Sequence, residues 1–516
     1  PREKIEDYLA RGWWNEATLG DLFLEIAARQ PSAPALADPP NSVSIWGRQP
    51  RRLDWSTLLA ETGRMAALLD AQGLRRDDVV LVQLPNGIEL HAIYLACALG
   101  GIVVSPLPVQ YRGHEIDHAL ALTRARVAIC AERVGSHRLV DGWRQQAAAH
   151  PTLEIWAYAD AARPALPDDV VSIDEAWRAV EPWSADRLRE QQRHAGVSAH
   201  DVLTICWTSG TEASPKGVPR NHNEWRLVGR SVLEAAQLPA GARMLIPFPF
   251  VNMAGVSTSL VAWLMLGGEL LHHHPFDLQL FIDQLRRQPV DYTVVAPALL
   301  ARLLKDPDSL KGIDFGRLRR IGSGGGPVAP WLVEQFGNRF GVEIVNYFGS
   351  NEGAALSSSP QDVPNRGERA RYFPRLGVPG YEWSISNSRI VSTRLVDADT
   401  AATITEPGQI GELRFKGPTI FSGYFGAPEL TANAFDADGY YRSGDLFEIC
   451  GDRHQFYRYA GRLKDIVIRG GMNISCQEVE NLLLAHPKVH EAAVIGVPDP
   501  EFGERVCAVV APQPGA

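Results

Sequence analysis

The sequence predicts an α/β protein built on parallel sheets that are covered on both faces, with a small antiparallel barrel late in the chain. Three observations predict it. Apolar, β-branched runs recur as short strands without polar alternation, among them "DDVVLVQL", "RVAIC", "VLTICWT" and "VEIVNYF"; a strand apolar on both sides is buried on both. Stretches of helical spacing separate most of these runs, which is the rhythm of a parallel sheet. Later, "WSISNSRIVS", "GQIGELRFKG" and "RHQFYRYAG" turn to short alternating strands bounded by turn residues, the pattern of a small antiparallel unit.

Taken in order, the N-terminal "PREKIEDYLARGWW" has charge and tryptophan but no apolar core of a secretory signal. "DWSTLLAETGRMAALLDAQGL" has helical spacing and an aspartate available to cap its start. The strand "DDVVLVQL" follows, then Asn86, a helix to Leu99 and the strand "IVVSPL". The run Leu90 to Pro108 approaches membrane-spanning length, but Gly100-Gly101 divide it into helix and strand, so no membrane span is expected. Further strands are expected at "RVAIC", "VLTICWT", "RMLIPF", "YTVVAP", "LRRIGS" and "VEIVNYF".

The chain has 516 residues, 45% hydrophobic and 22% charged, enough for more than one core. A formal net charge of −9 argues against a nucleic-acid binder, since no basic excess exists to neutralise phosphates. Six cysteines without a C-x-x-C pair read as the reduced thiols of a cytoplasmic protein. Three adjacent histidines, His272 to His274, cannot all face one ion and are expected in a surface loop. His222 lies close behind a hydroxyl-rich loop and is expected to have a structural or helix-start role.

The strand exits carry the unusual residues. Thr208 to Lys216 follow "VLTICW"; Ser323-Gly324-Gly325-Gly326-Pro327 follow "LRRIG"; Gly349 to Glu352 follow "VEIVNYF". Ligands of open α/β sheets bind outside the carboxyl ends of strands, so these exits define one candidate crevice. "TSGT" with a following lysine offers hydroxyl and N–H donors and one cation to phosphate oxygens, or is a Ser/Thr-rich surface loop. "SGGGP" lets a planar ring approach the backbone, or is a tight turn. "NYFGSNEG" offers Phe348 for stacking, Asn351 as a polar contact and Glu352 as a hard oxygen ligand for Mg²⁺, or is a solvated helix start. Asp445 in "YYRSGDL" could accept both hydroxyls of a ribose, and Arg462 in "GRLKDIVIRGG" could lie beside a phosphate.

The order of "TSGTEASPKG", "SGGGP", "YFGSNEG", "YYRSGD" and "GRLKDIVIRGGMNISCQEVE" resembles the adenylate-forming superfamily: acyl- and aryl-CoA ligases, aryl-acid adenylating enzymes, peptide-synthetase adenylation domains and luciferases. The resemblance implies a large domain over 1–461, of two parallel-sheet lobes and a small β-barrel. A small mobile α+β domain begins at 462–516, with a hinge near Lys464; only its first part is expected in this sequence, which looks truncated. It implies that Thr208, Ser209, Gly210, Thr211 and Lys216 grip phosphates, and that Gly324, Gly325, Gly326, Pro327, Tyr347, Phe348 and Gly349 form an adenine slot. Asn351 would meet the α-phosphate, Glu352 the Mg²⁺, Asp445 the ribose and Arg462 ribose or phosphate, with Lys216, Glu352 and Lys464 as the catalytic set. Phe250, Val251, Gly255, Ser323, Gly324 and Ser350 would line the acid pocket; Phe250 with Gly470 and Gly471 would line a thiol tunnel.

The implied activity is ATP-dependent conversion of a carboxylic acid to its acyl-adenylate, with release of pyrophosphate, then transfer to the thiol of coenzyme A. The alternative acceptor is the phosphopantetheine of a carrier protein, and a silent ATP-binding homologue is a further alternative. Oligomeric state, monomer or homodimer, stays open. Glu212 and Ala213 replace the usual hydroxyl and glycine, Phe348 a tyrosine, Asn351 a threonine and Cys476 a proline; Cys476 is expected to serve packing. Val251 can neither pair with an ammonium nor bond an ortho hydroxyl, which disfavours amino acids and salicylate-like acids. Gly255, Ser323 and Gly324 are expected to leave room, so an apolar aryl, alicyclic or medium-chain acid is expected.

Overall fold

Strand Val79–Gln83 is buried along its whole length, as a strand between two layers of helix must be. It lies at the centre of a seven-stranded sheet, in a computed structural model that describes residues 2–161, 165–208, 215–469, 472–484, 486, 488–499 and 503–512. From one edge the strands are Lys216–Asn221, Val202–Thr208, Val103–Pro106, Val79–Gln83, Val127–Ala131, Glu154–Tyr158 and Val170–Ser172. All neighbours are parallel except the edge pair that joins Val202–Thr208 to Lys216–Asn221. The long apolar run divides as expected. Helix Ile88–Gly100 ends at Gly101 in the left-handed region (φ 69°), and strand Val103–Pro106 follows. Asp54 caps helix Trp55–Ala71 by accepting the Thr57 N–H.

The second sheet has eight strands: Ala355–Ser358, Glu343–Gly349, Arg320–Gly324, Tyr292–Val295, Arg243–Ile246, Glu269–His272, Pro34–Ala37 and Arg52–Asp54. Its six inner strands are parallel and both edges antiparallel. The two strands before residue 55 carry too little apolar sequence to stand out, and the first is placed by pairing to Glu269–His272. Both sheets belong to one unit, residues 1–370 with Ser384–Asn387 and Pro418–Ala432.

A second unit comprises Arg371–Trp383, Ser388–Gly417 and Asn433–Ala516. It contains a six-stranded antiparallel sheet that includes Tyr441–Cys450 and Phe456–Arg462, and a four-stranded sheet with helix Cys476–Leu484. Cys476 packs with Val467 and Val494, and burial pushes its thiol up, so it is a core residue and not a reactive one. Among the described residues no helix is long and apolar enough to cross a membrane. None of the six cysteines is in a disulfide.

The histidine triplet is not a surface loop. His272 ends an interior strand, and all three rings are buried, at 1%, 0% and 6% exposure. Each is placed by packing or hydrogen bonding. His272 lies 4.7 Å from the His91 ring, and His274 Nδ1 accepts the Asn86 N–H at 3.3 Å. His273 Nε2 accepts the Asp277 N–H at 3.0 Å, so Nδ1 carries the proton and donates to Gln284 Oε1 at 2.7 Å. Among the described residues no group of three His, Cys, Asp or Glu side chains is placed to hold a metal ion. His222 is structural, its Nδ1 accepting the Leu19 N–H at 3.1 Å.

Burial lowers the pKa of these rings: His91 and His274 to about 4, His222 to about 3, and His272 well below its usual range. Their folded pKa values lie below the unfolded ones. The stability gained by keeping them neutral is therefore complete above the unfolded value and lost as pH falls toward 4. Urea unfolding at pH 7, 6 and 5 should show stability declining with acid. His222→Gln should reduce that slope by up to about 1.4 kcal/mol per pH unit, one proton's worth. An unchanged slope in the variant would show that His222 does not titrate on unfolding.

Candidate active site

Strand Val202–Thr208 delivers Thr208 to the sheet edge, where it pairs with Lys216 and its Oγ1 accepts the Lys216 N–H at 3.4 Å. Ser209, Gly210 and Thr211, with the rest of 209–214, lie outside the described residues. Lys216 holds its ammonium 5.2 Å from the centre of the Tyr424 ring.

Strand Glu343–Gly349 carries Tyr347, Phe348 and Gly349 toward the exit at Ser350-Asn351-Glu352. Tyr347 does not stand free as the edge of a slot. Its hydroxyl receives the Tyr292 O–H at 3.2 Å and donates to the Val232 carbonyl at 3.4 Å. Burial raises both phenols. The Tyr347 ring occupies the space over Gly322, where a Cβ would lie 2.7 Å from Cε2. Just past the end of the neighbouring strand Arg320–Gly324, Gly325 (φ 80°) and Gly326 have nothing within 4 Å of a would-be Cβ, so open space faces them, ahead of Pro327. Ser323 is fully buried on that strand.

Asn351 joins three segments. Its Oδ1 accepts the Met253 N–H at 2.7 Å, and its Nδ2 donates to the Trp207 carbonyl at 3.2 Å. Its own carbonyl accepts Arg220 Nη1 at 2.8 Å. Strand Val202–Thr208, which leads into the expected phosphate loop, the Met253 segment, expected near the acid, and the Glu352 turn are thus brought together in one unit. The expectation of an α-phosphate contact has to accommodate this: Oδ1 is engaged, and one Nδ2 hydrogen is committed to Trp207.

Arg220 was not visible from the sequence as a site residue. It is fully buried, 3.3 Å from Glu224 and 4.9 Å above the Trp225 ring. Desolvation works against both charges, and each is the other's main compensation. Beyond it, Glu352 is 7% exposed, and its Oε1 accepts the Tyr424 O–H at 2.9 Å. Gly353 (φ 98°) must be glycine, because a Cβ would lie 1.9 Å from the Thr419 carbonyl.

The residues expected to line an acid pocket are more enclosed than the sequence suggests. Phe250 is fully buried, stacked on His91 at 4.5 Å and Tyr94 at 4.3 Å. Asn86 pins its loop, accepting the Phe250 N–H at 2.9 Å and donating to the Phe248 carbonyl at 2.7 Å. Val251 is 8% exposed. The expectation that Gly255 leaves room for an acid is corrected: the space of its missing Cβ is filled by the Pro249 carbonyl, 1.9 Å away. Gly324 likewise gives its space to the Tyr347 carbonyl at 2.8 Å. Volume without Cβ is consumed by backbone packing.

In the second unit Asp445 and Arg462 face each other across adjacent strands, with Nε to Oδ1 at 3.2 Å. The Asp445 charge is the main cause that raises Arg462. Lys464 lies in the turn Leu463–Asp465, with its side chain outside the described residues, as are Gly470 and Gly471.

A metal would fit only one described carboxylate here, Glu352. A single carboxylate with substrate phosphates suits Mg²⁺, which is seldom bound by an all-protein cage.

The profile of the family described as AMP-binding enzyme matches residues 23–425, and that of the AMP-binding enzyme C-terminal domain matches 478–516. The chain is 30% identical to the pyochelin synthase PchD of Pseudomonas aeruginosa, over 99% of this chain and 86% of that protein. It is 28% identical to the medium-chain fatty-acid–CoA ligase of Escherichia coli, over 98% and 82% respectively. The ATP-bound crystal structure of MatB from Rhodopseudomonas palustris superposes with a TM-score of 0.76 at 26% identity, covering 97% of this chain and 90% of that one.

Asn351→Ala removes two hydrogen bonds to buried backbone groups and should cost about 1–3 kcal/mol of stability. Denaturant unfolding at pH 7 checks the size, and a stability equal to that of the parent would refute the joining role.

Proposed function

The chain belongs to the AMP-binding enzymes, and on that footing we propose that it activates a carboxylic acid as its acyl-adenylate and passes the acyl group to the thiol of coenzyme A. The observation that carries this reading is the meeting, at Asn351, of the phosphate strand, the acid-loop segment and the Glu352 turn. A carboxylate is a poor electrophile, because it is anionic and lacks a leaving group. Attack of its oxygen on the α-phosphorus of ATP forms the acyl–O–P bond and expels pyrophosphate. Lys216 and the Thr208 to Thr211 loop meet the charge on the departing phosphates. Glu352 would hold Mg²⁺, which when bound withdraws charge from the phosphate oxygens. A thiol then attacks the acyl carbon and AMP leaves.

In this reading Gly324 to Pro327 and Phe348 flank the adenine, and Asp445 with Arg462 serves the ribose. Residues 1–461 form the nucleotide domain, and 462–516 belong to a smaller one that turns at Lys464. The thiol approaches past Gly470 and Gly471. A cytoplasmic location accords with six cysteines outside disulfides. An apolar aryl, alicyclic or medium-chain acid is favoured by Val251 and Met253, both apolar and both 8% exposed. The medium-chain ligase among the relatives accords with coenzyme A and an apolar acid. Carrier-protein phosphopantetheine is the second acceptor in this reading; one relative is named a synthase and not a CoA ligase.

Pyrophosphate exchange across an acid panel, followed by thioester formation with free coenzyme A or with carrier proteins, tests the whole reading. Exchange with no acid would overturn it. Glu352→Gln makes a hard anionic ligand neutral and should lower exchange by at least about tenfold at limiting magnesium. Exchange at the parental rate throughout a magnesium titration would remove Glu352 from the metal site.

Val251→Asp places an unpartnered charge against an apolar acid and should abolish its use. Val251→Asn should shift kcat/KM toward ortho-hydroxylated aryl acids by about 1 kcal/mol through one new hydrogen bond. If neither variant moves the ratio between hydroxylated and unsubstituted acids, the acid pocket lies elsewhere.

A further inference from the structure

The segment from Pro418 to Ala432 is far in sequence from the strand exits, yet it is part of the same unit. It is fastened to both sides of the site by main-chain bonds. The Phe421 N–H donates to the Glu352 carbonyl, and the Phe425 N–H donates to the Gly217 carbonyl, each at 2.9 Å. Tyr424 lies between these two anchors. Its N–H donates to Thr431 Oγ1 at 2.9 Å, and Thr431 Oγ1 donates to the Ala427 carbonyl at 2.9 Å. Gly423 (φ 148°) permits the approach of Thr431, whose Cγ2 would lie 2.5 Å from a Cβ. The Phe421 ring meets the Tyr424 ring edge-on at 4.9 Å. The phenol is thereby aimed by backbone, by a hydroxyl and by an aromatic neighbour.

Its two ends engage two different groups. The hydroxyl donates to Glu352 Oε1 at 2.9 Å, and the ring centre lies 5.2 Å from Lys216 Nζ. We propose that Tyr424 is a positioning residue shared by the metal carboxylate and the phosphate lysine. Its hydroxyl holds one oxygen of Glu352 so that Oε2 is presented to the cation. Its ring face holds the Lys216 ammonium at a set spacing from that carboxylate. The proposal rests on the reading of Glu352 as the magnesium ligand and Lys216 as the phosphate lysine. A tyrosine suits both tasks at once, because phenylalanine lacks the donor and serine lacks the face.

The test compares the parent protein with Tyr424→Phe, Tyr424→Leu and Glu352→Gln, each checked by thermal melting. Two affinities are read: Mn²⁺ for the enzyme–ATP complex by electron paramagnetic resonance, and ATP without metal by calorimetry in chelator. Tyr424→Phe should weaken Mn²⁺ about tenfold, while metal-free ATP binding changes less than about twofold. Tyr424→Leu should weaken both, metal-free ATP by about threefold or more, because the lysine loses its ring. In Glu352→Gln/Tyr424→Phe the second substitution should add little to the first. A general loss of structure would instead lower melting temperature and both affinities together. If Glu352→Gln weakens Mn²⁺ and Tyr424→Phe does not, the proposal for Tyr424 falls and the metal reading stands. If Glu352→Gln leaves Mn²⁺ affinity at the parental value, the metal reading itself falls, and the proposal with it.

Discussion

The side-chain amide of Asn351 is the interaction on which the candidate site depends. A strand of each large sheet ends near this amide, beside the start of the short helix Met253–Val256, whose first N–H groups have no partner within the helix. One amide supplies a partner to each side: it gives Trp207 a donor and Met253 an acceptor. A threonine, which the family more often has here, would have to serve both partners from one oxygen set nearer the backbone, whereas the amide meets them with two separate atoms at its tip. The substitution read from the sequence as a small change in phosphate contact is therefore also a change in how the crevice is held together.

Beneath that amide lies a charge with no exposure. Arg220 supports the Asn351 carbonyl from the interior, with Glu224 one helical turn away in sequence. Such a pair gives little net stability, since desolvation offsets most of its attraction. Its value is directional. A guanidinium confined by an indole face and a carboxylate offers its N–H in one orientation only, and the turn leading to Glu352 is built on it.

The fold was largely legible because its signal is local. Uninterrupted apolar strands and capped helices are written in neighbouring residues, as at Val79–Gln83 and Asp54. The two strands before residue 55 were missed, because pairing and not composition makes them strands. The motif residues at strand exits were legible as a set, through their order. Tyr424 and Arg220 were not, since each works through a partner remote in sequence or hidden in the core. Tyr424 is 72 positions from Glu352, and nothing in "SGYFG" announces a carboxylate. The histidine triplet failed for a related reason. Polar residues look exposed in a one-dimensional reading, and only the strand order shows that His272 ends inside a sheet. Gly255 and Gly324 show the same limit: a missing side chain was read as free space, which the backbone had already taken.

The placement of Pro418–Ala432 has a consequence for how the protein is made and recombined. Residues 371–383 and 388–417 enter the other unit before this segment returns to the first. On the ribosome, the first 370 residues can form both parallel sheets, yet Glu352 has no phenol until the segment after residue 417 has emerged. Chimeras with relatives face the same constraint. A crossover between residues 358 and 424 joins a carboxylate and a tyrosine that were never selected together, although it cuts neither large sheet. Breakpoints placed after Ala432 keep the lysine, the glutamate and the tyrosine in one inherited block.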